Sequence, residues 1–217
     1  MSFVLDWLRR AIRKPPVAIF LISVCLSSLT GYGYMYVIAS SHQSTLRSDF
    51  LHLKTDRMSL EFPKNWVAFK GAFQNESGSF STVVSFNPVT GTFFGIQLYD
   101  ENATRFLWET LSFTDTSSVV MQIVNDTYAA VLKDNNSSLL IFQKNDTMKV
   151  SNLDFTYSII TVTNVPGGTN NYYNLTRFIG ACLHNRELIL IFFTSDESRW
   201  LIDYEIFQAI INLLRVG

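Results

Sequence analysis

The chain has 217 residues, with 17 Lys plus Arg against 18 Asp plus Glu, and its side chains are 47% hydrophobic but only 16% charged. That balance excludes a wholly disordered chain and argues against a basic nucleic-acid-binding protein, while the length suits one ordinary domain with a small addition. Two cysteines, Cys25 and Cys182, are too few and too far apart for a disulfide scaffold or a thiolate metal cluster.

Residues 1–14 read as a cytosolic amphipathic segment. Phe3, Val4, Trp7, Leu8, Ala11 and Ile12 form its apolar side, and Arg9, Arg10, Arg13 and Lys14 reach toward lipid phosphates. Pro15 and Pro16 mark the turn into residues 15–41, which read as a single transmembrane helix. Val17 to Ala39 carries 23 consecutive uncharged residues. At about 1.5 Å per residue such a helix is about 35 Å long, enough to cross a roughly 30 Å hydrocarbon core with some tilt. Basic residues cluster before the span and the next one is Arg47, so the positive-inside bias keeps the N-terminus cytosolic and places the rest outside the cell membrane. A cleaved signal peptide competes, with small residues at Ala39, Ser40 and Ser41, but the apolar run exceeds the usual 7 to 15 residues of a signal core. Within the span, Ser23, Ser27 and Gly31 offer a face for a partner helix, together with Ser28, Gly33 and Ala39.

Residues 42–57 read as a polar connector, helical near its end, and 58–217 as an extracytoplasmic α+β domain. Short apolar runs predict strands at Met58 to Phe62, Phe80 to Phe86, Thr92 to Tyr99, Val119 to Val124, Tyr128 to Leu132, Leu139 to Phe142, Leu153 to Thr163 and Leu188 to Thr194. Pro63, Asn87-Pro88 and Pro166-Gly167-Gly168 punctuate them as turns. Leu188 to Phe193 is apolar at both parities and predicts a central strand covered on each side. A helix is expected over Ala103 to Ser112. Another is expected over Trp200 to Val216, where Leu201, Tyr204, Phe207, Ile210, Ile211 and Leu214 form an apolar stripe and Ser198 supplies a cap. The sum is an antiparallel sheet covered by helices, with a β-sandwich as the alternative.

The opening MSLEFPKNWVAF, the strand LILIFFTSD and the closing DYEIFQAIINLLRV together resemble the PsbP-like, or Mog1/PsbP, domain family, over Met58 to Val216. The resemblance implies an α/β/α sandwich with an antiparallel sheet, and an accessory or assembly role on an extracytoplasmic membrane face. It carries no catalytic motif to transfer. The anchor and the sequons depart from the chloroplast photosystem subunit after which that family is named.

Seven N-glycosylation sequons begin at Asn75, Asn102, Asn125, Asn135, Asn136, Asn145 and Asn174; polar loops rich in Asn, Ser and Thr are the competing reading. Cys182, His184 and Asp154 are candidates for a nucleophile pair with an orienting acceptor, although Cys182 reads better as a core residue and His184 as a turn residue. Asp196, Glu197 and Asp203 are a weak cation candidate, and Asp100, Glu101 and Glu109 an acidic surface without the fixed separation that glycoside hydrolysis needs. Gly91 and Gly95 suit a turn and a strand bulge, and Gly167 and Gly168 shape a loop. Trp66, Trp108 and Trp200 suit core anchoring better than a ligand cavity. The sequence therefore predicts no catalytic, metal or cofactor site. It predicts a noncatalytic accessory or structural subunit of a membrane or cell-surface complex, whose partners are other membrane subunits, the lipid bilayer and N-linked glycans, with no nucleic acid. Alternatives are an extracellular ligand-binding module and an envelope or surface glycoprotein.

Overall fold

Because Leu188 to Phe193 is apolar at every position, a strand there must bury two faces, and the rest of the chain is arranged to supply two covers. The computed structural model describes residues 50–55, 57–134, 139–167 and 171–216. The segment 1–14, the span 15–41 with Ser23, Ser27 and Gly31, the connector residues 42–49, and the sequon residues Asn135 and Asn136 lie outside the described residues. Among the described residues no helix is long and apolar enough to cross a membrane.

In chain order the elements are β1 (Phe50–Lys54), β2 (Met58–Pro63), β3 (Val67–Asn75), β4 (Gly78–Phe86), β5 (Phe93–Tyr99), α1 (Glu101–Leu111), α2 (Thr116–Asp134), β6 (Leu140–Val150), β7 (Leu153–Gly167), β8 (Asn171–His184), β9 (Glu187–Asp196), a 3-10 turn (Glu197–Arg199), α3 (Trp200–Asn212) and β10 (Arg215–Val216). Seven strands form one sheet in the order β3-β4-β5-β9-β8-β7-β6, and every neighbouring pair is antiparallel. A small second sheet, β1-β2-β10, is also antiparallel.

β9 holds the central position. Its Ile189, Ile191 and Phe193 join Phe207, Ile210 and Ile211 of α3 and Met58, Leu60 and Phe62 of β2 in one apolar cluster. Its Leu188, Leu190 and Phe192 join Leu107 of α1 and Val119, Val120, Ile123 and Val124 of α2 in another. The strand thus separates two cores, one under α1 and α2, the other under α3 and the small sheet. Each fully buried side chain of this size contributes about 1.5 to 3 kcal/mol relative to exposure.

α3 is seated by Phe207, which is fully buried. Its ring centroid lies 4.7 Å from that of Phe178 on β8 and 4.8 Å from that of Phe193 on β9. Phe94 on β5 lies 6.3 Å away, so one side chain bridges three neighbouring strands. α1 is tied to the opposite face by Thr104, whose hydroxyl accepts from the Leu188 amide at 2.9 Å.

Several sequence expectations are corrected. Val119 to Val124 and Tyr128 to Leu132 are not strands but parts of the single helix α2. Val119, Val120, Ile123, Val124 and Thr127 are buried while Asn125 and Tyr128 are exposed, a stripe with helical spacing. The helix start is capped reciprocally: Asp115 Oδ1 accepts from the Ser118 amide at 2.7 Å, and Ser118 Oγ accepts from the Asp115 amide at 3.2 Å. β-branched propensity pointed to strands, and burial against the sheet overrode it. Phe50–Lys54, expected as the connector's helical end, is a strand paired with β2. β3, β8 and β10 were not expected: β3 carries Lys70 and Gly71, β8 carries Arg177 and Gly180, and β10 is two residues long. The register runs through Gly95 without a shift, so no bulge stands there. Shifts occur instead at Phe142/Lys144 and at Val162/Val165.

Antiparallel pairing gathers the connections at two ends. One end holds the Asn75–Gly78 turn, the start of α1, the β6–β7 turn and the β8–β9 turn at Asn185 and Arg186. The other holds the 64–66 turn, the 87–92 loop, the 3-10 turn and the beginning of α3, with Phe50 paired to Pro63 there.

Phe207→Ala is expected to lower unfolding stability by about 3 to 5 kcal/mol, since it removes a ring from a closed core. Chemical denaturation of the full chain in detergent measures it; a loss below about 1 kcal/mol would show that α3 is not seated on this ring.

Candidate functional site

The candidate chemistry lies at the two ends of the large sheet and on β8, and Asp100, Asp203, Arg177 and Cys182 are built into the fold. At the α1 end, Gly78 has φ of +129°, and a Cβ there would lie 2.3 Å from the Ala103 nitrogen, so only glycine lets the β3–β4 turn reach the helix start. Asp100 closes that junction. Its Oδ1 accepts from the Ala103 amide at 2.7 Å, and its Oδ2 accepts from the Ser79 amide at 2.7 Å and the Ser79 hydroxyl at 2.6 Å. Burial works against ionisation, but these donors and the nearby Arg57 outweigh it and hold the Asp100 carboxyl below its ordinary value. Glu101 pairs with Arg186 at 2.9 Å on the surface, and Glu109 is exposed on α1. Arg57 pairs with Glu187. The acidic trio of the sequence is a helix cap, a surface ion pair and an exposed side chain.

At the opposite end, Asp203 is buried in the first turn of α3. Its Oδ2 accepts from Thr92 Oγ1 at 2.7 Å and from Ser195 Oγ, and its Oδ1 accepts from Arg199 Nη2 at 3.1 Å. These bonds lock α3 to β9 and to the loop before β5. Asp196 is turned to the 3-10 turn, accepting from the Ser198 amide at 2.8 Å. Ser198 therefore does not cap α3; it donates its hydroxyl to Asp196, and Arg199 precedes the helix without a side-chain cap bond. Glu197 accepts from Asn174 Nδ2 at 2.8 Å. Asp196, Glu197 and Asp203 thus face different partners. Among the described residues, no group of three or more His, Cys, Asp or Glu could hold a metal ion.

On the α2 face, Arg177 of β8 is buried and donates through Nε to Thr194 Oγ1 at 3.0 Å. Burial lowers its pKa to about 10. Cys182 is buried on the other face, packed in the α3-side core. Burial, with the Asp154 charge added, pushes its thiol up to about 11, although a hydrogen bond with the Asp154 backbone opposes the shift. His184, two residues on, is half-buried at the strand end, with Nε2 3.0 Å from Asn185 Nδ2. A nucleophilic cysteine requires a lowered pKa, and this site raises it.

The three tryptophans among the described residues are packed. Trp66 is buried under the small sheet, Trp108 meets Phe113 edge-on at 5.5 Å, and Trp200 lies 5.7 Å from Phe193 and 5.1 Å from Tyr204. Gly91, at φ of +71°, shapes the loop before β5, Gly167 ends β7, and Gly168 lies outside the described residues. Among the sequons, Asn75 ends β3. Asn102, Asn125 and Asn145 are exposed on α1, α2 and β6, and Asn174 is half-buried on β8. The sequon hydroxyls Thr104, Thr127 and Thr176 are buried, so sugar transfer at Asn102, Asn125 or Asn174 would have to precede folding.

Sequence reasoning missed the exposed margin of the large sheet. β6 is an edge strand whose side chains from Ile141 to Thr147 stand in solvent. Lys144 pairs with Asp146 at 2.9 Å, and such charges guard an edge against further pairing. No charge stands at its beginning, where Ile141 and Phe142 are each 49% exposed. The signal in the sequence is the uncharged LLIF run, which reads as a short strand without showing that it stands at an edge.

No protein-family model matches the sequence, and no curated protein does. Among solved structures, the chain is similar to the solution structure of cyanobacterial PsbP (CyanoP) from Synechocystis sp. PCC 6803, with 9% identity and a TM-score of 0.49, over 82% of this chain and 98% of that one. It is also similar to a crystal structure from Bacteroides thetaiotaomicron VPI-5482, with 15% identity and a TM-score of 0.38, over 74% of this chain and 45% of that one. At these identities no residue role passes to this chain.

Asp100→Ala is expected to cost about 1 to 2 kcal/mol at pH 7, as loss of a helix cap. The folded pKa lies below the unfolded one, so the carboxylate's contribution is complete above about pH 4 and fades as pH falls through the folded value. Denaturant titrations of both proteins across pH 2 to 7 would show the gap closing toward acid; a gap independent of pH contradicts the assignment. Cys182 in the folded chain is expected to react with a maleimide at pH 7.5 on the order of 100-fold more slowly than in urea, followed by peptide mass spectrometry. Equal rates would restore it as a candidate nucleophile.

Proposed function

We propose that this is a single-pass membrane-anchored protein whose outer domain is a noncatalytic accessory or structural subunit of a membrane or cell-surface complex. The observation that carries the reading is a contrast in placement. Asp100, Asp203, Arg177 and Cys182, the groups with the most distinctive environments, are turned into the fold, where they cap, bridge or fill. The apolar start of β6 is turned outward, with Ile141 and Phe142 half exposed on an open sheet edge. An edge with exposed apolar side chains is a pairing surface, and a subunit of a larger assembly has a use for one.

The anchor in this reading is the uncharged run Val17 to Ala39, with the basic residues before it setting an outward orientation for the domain. A PsbP-like assignment belongs to the same proposal. Its support is the observed order of an opening strand, a turn carrying Pro63 and Trp66, an antiparallel sheet and a closing helix. N-linked glycans on Asn102 and Asn125, which are exposed on α1 and α2, would point to water.

Purification from the native membrane with crosslinking and mass spectrometry is expected to return a stoichiometric partner subunit, with crosslinks near Leu139 to Phe142. A reproducibly monomeric protein would contradict the reading.

A further inference from the structure

The two ends of the large sheet differ in chemistry. Eleven large apolar side chains are markedly exposed among the described residues, and seven of them lie toward one end: Val89, Leu139, Ile141, Phe142, Tyr172, Leu201 and Ile202. Ile141 and Phe142 belong to the β6 edge. Tyr172 lies near the start of β8 and Leu139 just before β6. Val89 is 89% exposed in the loop before β5, and Leu201 and Ile202 are 82% and 62% exposed in the first turn of α3. The Thr92–Asp203 bond ties that loop to that helix turn, so Val89, Leu201 and Ile202 stand on one braced unit.

The opposite end carries more charge, although Lys64, Asp196, Glu197 and Arg199 stand in the turns of the apolar end, and Phe73, Leu183 and Leu213 are exposed toward the charged one. Lys54, Glu76, Glu101, Arg186, Glu187 and Arg215 all lie there, at the end of β1, the β3–β4 turn, the α1 start, the β8–β9 turn and β10. A domain with more exposed apolar side chains at one end and more charge at the other has a preferred orientation at a boundary between water and an apolar phase.

The path of the chain identifies the boundary. β1 begins at Phe50, paired with Pro63, at the apolar end. Ten residues, 40–49, separate Phe50 from the uncharged run that ends at Ala39. Ten residues span at most about 35 Å when fully extended, so the end that carries Phe50 cannot leave the neighbourhood of the run's outer margin. A tether this short also makes contact with the surface effectively intramolecular, so a few apolar side chains suffice where they would not hold a free domain.

We infer that the apolar end, through Val89, Leu201 and Ile202, seats against the outer surface of the lipid bilayer, with the charged end facing away. Val89 and Leu201 enter the headgroup and upper acyl region. The β6 edge stands beside this contact and stays open to a partner subunit. The inference rests on the anchored reading above.

The test uses the full chain in phosphatidylcholine vesicles, in a Cys25→Ser background with Cys182 left buried. Nitroxide labels are placed by Val89→Cys, Leu201→Cys and, at the charged end, Glu76→Cys. Collision with a water-soluble nickel chelate is expected to fall about tenfold at the first two sites relative to the third, while collision with oxygen, which concentrates in lipid, rises. Equal nickel accessibility at both ends in protein that co-floats with the vesicles would overturn the seating and leave the anchor standing. Labels at Val89 and Leu201 shielded from both reagents would also overturn it, in favour of a protein occupant. Protein that does not float would overturn the anchor and the seating together.

Discussion

The constraint on which the rest depends is the burial of β9 on both faces. A strand that alternates Leu188, Leu190 and Phe192 with Ile189, Ile191 and Phe193 has no polar face to give to water. It must sit inside a sheet and between two covers. β5 and β8 flank it, α1 and α2 take one face, and α3 with the small sheet takes the other. The edges of the sheet fall to β3, which carries Lys70, and to β6, which carries Lys144, Asp146 and Lys149. Two cores in a domain of this size leave few positions on the inside for anything but packing.

The buried polar groups follow from that arrangement. Asp203 is drawn inside because the first turn of α3 crosses the end of β9, and Thr92, Ser195 and Arg199 supply the donors that make an enclosed carboxylate tolerable. Arg177 faces α2 from the middle of β8 and is met by Thr194. Such groups fix which helix lies on which strand. Outside the two cores stand the open β6 edge and the exposed Val89, Leu201 and Ile202 toward one end of the sheet.

Much of this was legible in the sequence. The doubly apolar β9 announced a central strand, and the stripe through Phe207, Ile210, Ile211 and Leu214 announced a covering helix. The antiparallel sheet with helices on it follows from those two segments. α2 was misread because Val119, Val120, Ile123 and Val124 satisfy β propensity locally, while their helical spacing matters only once a sheet lies beneath them. β8 was missed because Arg177 and Gly180 interrupt its apolar run. Their reasons are tertiary: Arg177 has a hydroxyl partner on β9, and a Cβ at Gly180 would lie 2.8 Å from the Phe178 ring. In the sequence Asp100 and Asp203 read as part of an acidic surface and of a weak cation candidate, and their roles as cap and brace become visible only when distant hydroxyls come within reach. The polarity between the two ends was not legible at all, since Val89, Leu139, Tyr172 and Leu201 are far apart in the chain.

The proposed seating joins these strands of argument, because it turns a packed domain on a short tether into an oriented one. Neutron reflectometry on the full chain in a supported bilayer measures that orientation most directly. The account predicts protein density that begins within the outer headgroup layer with no hydrated layer between. A water-filled gap approaching the roughly 35 Å reach of the ten-residue tether would contradict it.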